Sequence, residues 1–213
     1  MRILALCDDY YHPARVVREG LGAMAGGVFT FDFIDDAGQW SAEGMADYPV
    51  VILTKSNNIS AGNRDPWMAE AVQAAFVDYV RRGGGLLAIH SGTAGYAETP
   101  QLRALLGGVF AHHPEQCPVT VTPCAGHPLT AGSAPFTQKD EHYHMTVDDP
   151  SVDVFLETTS EHGTQPGGWT RSAGQGHVCV LTPGHNVAVW KEPSFQALVG
   201  NAIRWCAGEA VNG

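Results

Sequence analysis

The 213-residue sequence predicts an α/β fold: an open, doubly wound, flavodoxin-like and mostly parallel sheet with an antiparallel extension, in a single domain over 1–213. Two features predict it. Up to about residue 110, continuous apolar runs alternate with helix-period segments, the pattern of parallel strands buried on both faces. Beyond it, short strands are separated by Gly-, Pro- and His-rich loops, which suits an antiparallel extension better than a second domain.

The elements follow in order. "RILALC" (2–7) reads as a buried strand, "ARVVREGLGAMA" (14–25) as a helix after Pro13, and "FTFDFID" (29–35) as a strand with period-two alternation. "YPVVILT" (48–54) is a further apolar strand. A helix is expected from Asp65 and Pro66, a cap followed by a residue whose missing N–H costs nothing there. Val72, Ala75, Phe76, Tyr79 and Val80 give that helix one apolar stripe, and Gly83 to Gly85 stop it. A strand at 86–90 and a helix in "TPQLRALLGG" (99–108) come next. "CPVTVTP" (117–123) and "VDVFLET" (152–158) are strands of the extension, and "GHVCVLTPGH" (176–185) returns to a buried strand. "EPSFQALVGNAIRWCAG" (192–208) closes the chain as a helix with Phe195, Leu198, Val199, Ala202 and Cys206 on one side.

The formal charge of −10, with only twelve unclustered basic residues, argues against nucleic-acid and anionic-membrane surfaces, which need concentrated Lys and Arg. Five scattered cysteines without a CxxC favour reduced thiols. The start "MRILALCDD" lacks a signal-peptide pattern and no apolar run approaches a membrane span, so a cytoplasmic protein is expected. Loops around Trp40 and Trp67 are candidate homo-oligomer contacts.

Ligands of open α/β sheets bind at the carboxyl ends of the strands. Two histidines fall there: His90, at the end of "GGGLLAIHSGTAGY" (83–96), and His185, at the end of "TPGH" (182–185). The first stretch has the strand-to-helix turn of a nucleophile elbow, but its apex is an imidazole, a base, acid or metal ligand. Ser91 lies one place late and should point elsewhere. In "KDEHYHM" (139–145), period two would put Asp140, His142 and His144 on one face and Glu141 and Tyr143 on the other. Either set is a candidate: Glu141 and Tyr143 to orient a histidine and bind a hydroxyl, His142 and His144 as an H-x-H metal pair. "YYHP" (10–13) places His12 after the first strand, and "HHPE" (112–115) adds two more histidines. Trp169 and Trp190 are candidates to stack on a sugar.

Together these segments resemble the ThuA-like (trehalose-utilisation) family, a branch of the class I glutamine-amidotransferase-like fold. "LLGGVFAHHP" (105–114), "HPLTAGSAPFTQKDEHYH" (127–144), "GGWTRSAGQGHVCVLTPGH" (167–185) and "FQALVGNAIRW" (195–205) extend the resemblance over nearly the whole chain. In amidotransferases of this fold the apex is a cysteine; with His90 there, and Asn186-Val187 where Pro-Glu would follow the second histidine, glutaminase chemistry has no nucleophile. The family pattern Gly-Lys-Gly-Arg-Val is also changed, to Gly174-Gln175-Gly176-His177-Val178.

The resemblance implies carbohydrate metabolism on trehalose-type disaccharides or their keto derivatives. His90, Glu141 and His185 are the expected catalytic residues, and His12, Asp140, Tyr143, Gly184 and Trp169 the expected substrate contacts. A divalent cation, Zn or Mn, is a candidate cofactor on His90 and His185, with His142 and His144 a second choice. The competing functions are a non-catalytic sugar-binding protein and a metal-dependent hydrolase of another substrate class.

Overall fold

The computed structural model describes residues 1–211; the last two residues of the expected 1–213 domain lie outside them. The chain runs β1 (Arg2–Leu6), α1 (Ala14–Gly22), β2 (Thr30–Ile34), α2 (Ala42–Ala46), β3 (Val50–Leu53), α3 (Glu70–Arg81), β4 (Gly85–Ile89), α4 (Pro100–Leu106) and β5 (Gly108–His112). It continues through β6 (Cys117–Pro123), β7 (Phe136–Asp140), β8 (His144–Val147), β9 (Asp153–Ser160), β10 (Gly163–Ala173) and β11 (Gly176–Leu181), and ends with α5 (Val187–Trp190) and α6 (Pro193–Cys206).

Nine strands form one sheet in the order β2-β1-β3-β4-β11-β10-β9-β6-β7, and β5 pairs with β8 in a separate ribbon. From β2 to β11 every neighbour is parallel. From β11 to β7 every neighbour is antiparallel. The fold is therefore a large mixed α/β sheet, parallel in its first section and antiparallel in its extension.

Alternation along the parallel strands divides the core in two. Ile3, Ala5, Val50, Ile52, Leu87 and Ile89 pack with Val17 and Leu21 of α1 and with Phe195, Leu198 and Val199 of α6. Their neighbours Leu4, Leu6, Val51, Leu53, Leu86 and Ala88 face the other way, against Met45 of α2, Phe76 and Val80 of α3, and Leu102 and Leu106 of α4. Helices thus cover both faces, which is why these strands are apolar at every position.

Three expectations need correction. The helix expected from Asp65 begins at Glu70, with Ala69 as an N-cap that makes no side-chain bond. Asn57 Oδ1 accepts from the Trp67 and Met68 N–H groups at 3.1 and 3.0 Å and holds this segment out of the helix. The aromatic loops are not exposed faces: Trp67 is buried, Trp40 stacks on Phe76 at 5.6 Å, and both join the α3 core. Trp169 and Trp190, both expected at a sugar, are buried core residues, and the Trp169 Nε1 donates to the Leu106 carbonyl at 2.8 Å.

No helix among the described residues is long and apolar enough to cross a membrane.

Candidate functional site

β4 and β11 are neighbours in the sheet, β3 separates β4 from β1, and the carboxyl end of each of β1, β4 and β11 is followed by a histidine. His12, His90 and His185 form a near-equilateral triangle, with ring centroids 5.1, 5.1 and 5.5 Å apart. Glu141, from the segment between β7 and β8, enters the middle. Its Oε2 lies 3.1 Å from His185 Nδ1, 3.3 Å from His90 Nε2 and 3.9 Å from His12 Nε2. One ligand atom from each of the four residues falls within 4.8 Å of all the others.

Each histidine is held from behind. His90 closes β4 with φ 48°, a left-handed conformation that an L-residue other than glycine adopts at a cost, and its Nδ1 meets the Thr182 carbonyl at 2.8 Å. Gly92 permits this elbow, because a side chain there would run into the Leu53 carbonyl. Ser91 points away, as expected, donating to the Thr54 carbonyl at 2.7 Å.

His12 Nδ1 contacts both carboxylate oxygens of buried Asp9 at 2.8 and 2.9 Å. The same carboxylate accepts the Tyr11, His12 and Ser56 N–H groups at 2.8, 3.0 and 2.8 Å, tying the β1 loop to the β3 loop. His185 is set by its backbone: Asp140 accepts the N–H groups of Gly184, His185 and Asn186 at 2.8, 2.9 and 3.3 Å. Gly184 adopts φ 139° in that turn, and its carbonyl takes the Trp190 indole N–H at 2.7 Å.

The electrostatics follow from this crowding. Burial disfavours the Glu141 carboxylate, but His12, His185 and His90 more than offset it and hold its pKa well below the usual range. Burial likewise opposes the His12 imidazolium, yet Asp9 and Glu141 raise it to about 9. Burial dominates at His90 and keeps it neutral, with its pKa lowered despite Glu141. Burial also raises Asp140, against the backbone donors that favour its anion.

Among the described residues, the inward nitrogens His12 Nε2, His90 Nε2 and His185 Nδ1 are buried and make no well-directed hydrogen bond, although the last two lie 3.3 and 3.1 Å from Glu141 Oε2. Protonation alone does not explain three such atoms aimed at one carboxylate oxygen, since buried polar atoms are ordinarily satisfied. Three imidazoles and one carboxylate suit a zinc-type or manganese-type cation, with the Asp9 carboxylate behind His12 and the Thr182 carbonyl behind His90 fixing the rings.

A cavity of about 350 Å³ opens beside the cluster, lined by Glu141, Tyr143, His113, Phe110 and Tyr11 among others. A larger hollow of about 490 Å³ between α2 and α3 lies by Tyr48, Tyr79 and Gly84 at the opposite end of the strands and touches none of the cluster. Tyr143 is almost fully buried and stacks on the His90 ring at 3.9 Å. Burial raises its phenol well above the ordinary value, so it remains a proton donor at neutral pH.

The remaining expected residues divide clearly. His12, His90, Glu141, Tyr143 and His185 meet at one place. Asp140 and Gly184 shape the His185 turn and do not line the cavity. His142 and His144 leave the site, although their rings are 5.1 Å apart. His142 is bonded on both nitrogens, to Ser160 Oγ at 2.7 Å and the Thr158 carbonyl at 3.3 Å, while His144 stacks on His112 at 4.6 Å. The expected alternation did separate Glu141 and Tyr143 from these histidines. One participant was not singled out, Asp9; His113, from the candidate segment "HHPE", places its Nε2 3.6 Å from the other Glu141 oxygen, Oε1. For Asp9 a signal existed in "DDYYH", where a carboxylate three residues before a strand-end histidine can reach its ring.

The chain is thus an α/β protein of the open-sheet class with a His₃Glu cluster at the ends of its parallel strands. A family model described as ThuA, trehalose utilisation, matches residues 10–206, and the chain belongs to that family. Among solved structures, a ThuA-like protein from Parabacteroides merdae is similar with a TM-score of 0.77 and 18% identity, over 100% of this chain and 91% of the other. A ThuA-like protein from Bacteroides uniformis gives 0.73 and 23% identity, over 97% and 91%. A β-galactosidase from Rahnella sp. R3 shares the fold at 0.66 and 14% identity, covering 95% of this chain but 30% of that one. No curated protein matches the sequence.

Proposed function

We propose that this protein is an enzyme of carbohydrate metabolism that performs acid–base chemistry on a trehalose-type disaccharide or its keto derivative. In this reading His12, His90, His185 and Glu141 hold one divalent cation. The single observation that carries the proposal is the convergence of three buried nitrogens on Glu141 Oε2.

When bound, such a cation supplies Lewis acidity to a carbonyl or hydroxyl oxygen of the substrate. The chain's own groups supply the rest. Glu141 and His113 both line the cavity, and the Glu141 carboxylate, kept ionised by the imidazoles around it, accepts a hydrogen bond from a substrate hydroxyl and orients it. Tyr143, protonated and braced on His90, donates to a sugar oxygen. Asp9 and Thr182 fix the rings of His12 and His90, and Asp140 fixes the backbone of His185. His90 replaces the thiol of an amidotransferase elbow, and with it goes any thioester route.

The family supports the sugar substrate, and the order β2-β1-β3-β4-β11 supports reading the parallel half as a flavodoxin-like, class I glutamine-amidotransferase-like core. All of 1–213 is read as one ThuA-like domain of a cytoplasmic protein with a small-molecule substrate and no nucleic-acid or membrane partner. Homo-oligomerisation belongs to the same proposal, on a surface other than Trp40 and Trp67.

The test is turnover of trehalose and of its 3-keto form by the metal-loaded wild type, by His90→Ala and His185→Ala, and by chelated protein. The proposal expects product from the wild type and its loss in the other three. Equal turnover by the variants would overturn it.

A further inference from the structure

The loop between β1 and α1 carries an arrangement that the cluster does not use. Tyr10 and Tyr11 are large side chains left in solvent, 47% and 64% exposed, and Tyr11 forms part of the cavity wall beside His12. Single exposed aromatics are ordinary; here two follow one another, and the second stands at the mouth of the cavity. Neither ring is free to swing with its loop. The Tyr11 N–H is bonded to Asp9 at 2.8 Å and the Tyr10 N–H to Asn58 Oδ1 at 3.2 Å. Arg64 places its guanidinium 3.3 Å from the Tyr10 ring centre, and Tyr10 meets Tyr11 edge to face at 4.9 Å. Arg64 therefore braces Tyr10, and Tyr10 braces Tyr11.

A flat ring held at the rim and 64% exposed is a platform for a ligand with one flat apolar face and polar edges. A pyranose has that shape: its axial C–H groups form an apolar face and its hydroxyls point outward. Asn57 and Asn58 line the same cavity, with their side-chain oxygens held by the N–H groups of Trp67, Met68 and Tyr10, so they shape the wall behind the ring. We infer that Tyr11 is a stacking subsite for a pyranose ring of the substrate, lying outside the His/Glu centre and setting specificity for ring-form sugars over open-chain polyols. This rests on the sugar reading above and adds to it the position of a ring.

The experiment measures binding of trehalose, methyl α-D-glucopyranoside and sorbitol to the full chain by calorimetry and saturation-transfer NMR. Wild type, Tyr11→Ala, Tyr11→Phe and Arg64→Ala are compared, with thermal midpoint and metal content recorded for each. The expected result is pyranoside binding with saturation concentrated on the C–H protons of one ring face, and weaker sorbitol binding. Tyr11→Phe should bind within about twofold of wild type, Tyr11→Ala about tenfold more weakly, and Arg64→Ala in between. Pyranoside binding unchanged in Tyr11→Ala would overturn the subsite and leave the sugar reading standing. A wild type that binds no pyranoside would overturn the sugar reading and the subsite together. Weaker binding accompanied by a lower midpoint or lost metal in Tyr11→Ala would mark the ring as a support of its loop, and would also overturn the subsite.

Discussion

His90 Nε2 stands 3.3 Å from Glu141 Oε2, although the two residues are 51 positions apart in sequence and lie on elements that share no hydrogen-bonded ladder. The imidazole caps a parallel strand, and the carboxylate arrives from the antiparallel extension. The two halves of the sheet meet chemically at this contact.

If the contact belongs to a cation site, removing either partner removes a ligand. His90→Ala and Glu141→Gln should each lower Zn²⁺ or Mn²⁺ affinity by at least about a hundredfold. Asp9→Asn, which loosens the His12 ring without removing a ligand, should cost about 10- to 100-fold. Competition with a chromophoric chelator reads all three.

The metal-free protein should be most stable near pH 6.5. His12, raised to about 9 when folded, contributes stability that is fully present below its unfolded value of about 6.5. That contribution is lost as pH rises toward 9, on the order of 3 kcal/mol. His90, whose folded pKa is lowered by burial, acts in the opposite sense and removes stability as pH falls below about 6.5. Urea unfolding across pH 5–9.5 checks both limbs, with flattening of the alkaline limb expected in Asp9→Asn. Saturating metal should reverse the alkaline limb, because binding requires neutral His12 and releases its proton.

Asp140 satisfies three backbone N–H groups around Gly184 and His185. Asp140→Ala strands them in a buried turn and should destabilise the fold by about 3–5 kcal/mol, with loss of metal binding as His185 moves. Chemical denaturation and metal titration separate the two effects.

Gly92 faces the Leu53 carbonyl with no room for a methyl group. Gly92→Ala must push β4 from β3 or distort the elbow, at about 2–3 kcal/mol, and the displaced His90 should bind metal more weakly. Gly62, which has open space around it, serves as the control, with Gly62→Ala near neutral.

The parallel half was readable because its central strands are apolar almost throughout, its edge strand β2 alternates with period two, and each helix stripe has one period, so local pattern and burial agree. His90 and His185 were readable for the same reason: an apolar strand that stops at a histidine places it at the ligand edge. What sequence could not supply was the partner across the sheet. Alternation in 139–145 sorted Glu141 and Tyr143 from His142 and His144, but not which set faced the cluster, because β7 and β8 belong to different sheets. Trp169 misled because an indole beside glycines reads alike in a core and at a sugar. Asn57 displaced the start of α3 through side-chain bonds that no helix signal near Asp65 and Pro66 encodes.

The central claim, that His12, His90, His185 and Glu141 form one cation centre, is tested most directly by elemental analysis and metal titration. The protein is purified without an affinity tag, and wild type is compared with a His12→Ala/His90→Ala/His185→Ala variant. One divalent ion per wild-type chain and none in the variant is the predicted result. Equal metal content in the two, or no stoichiometric binding by the wild type at neutral pH, would contradict it.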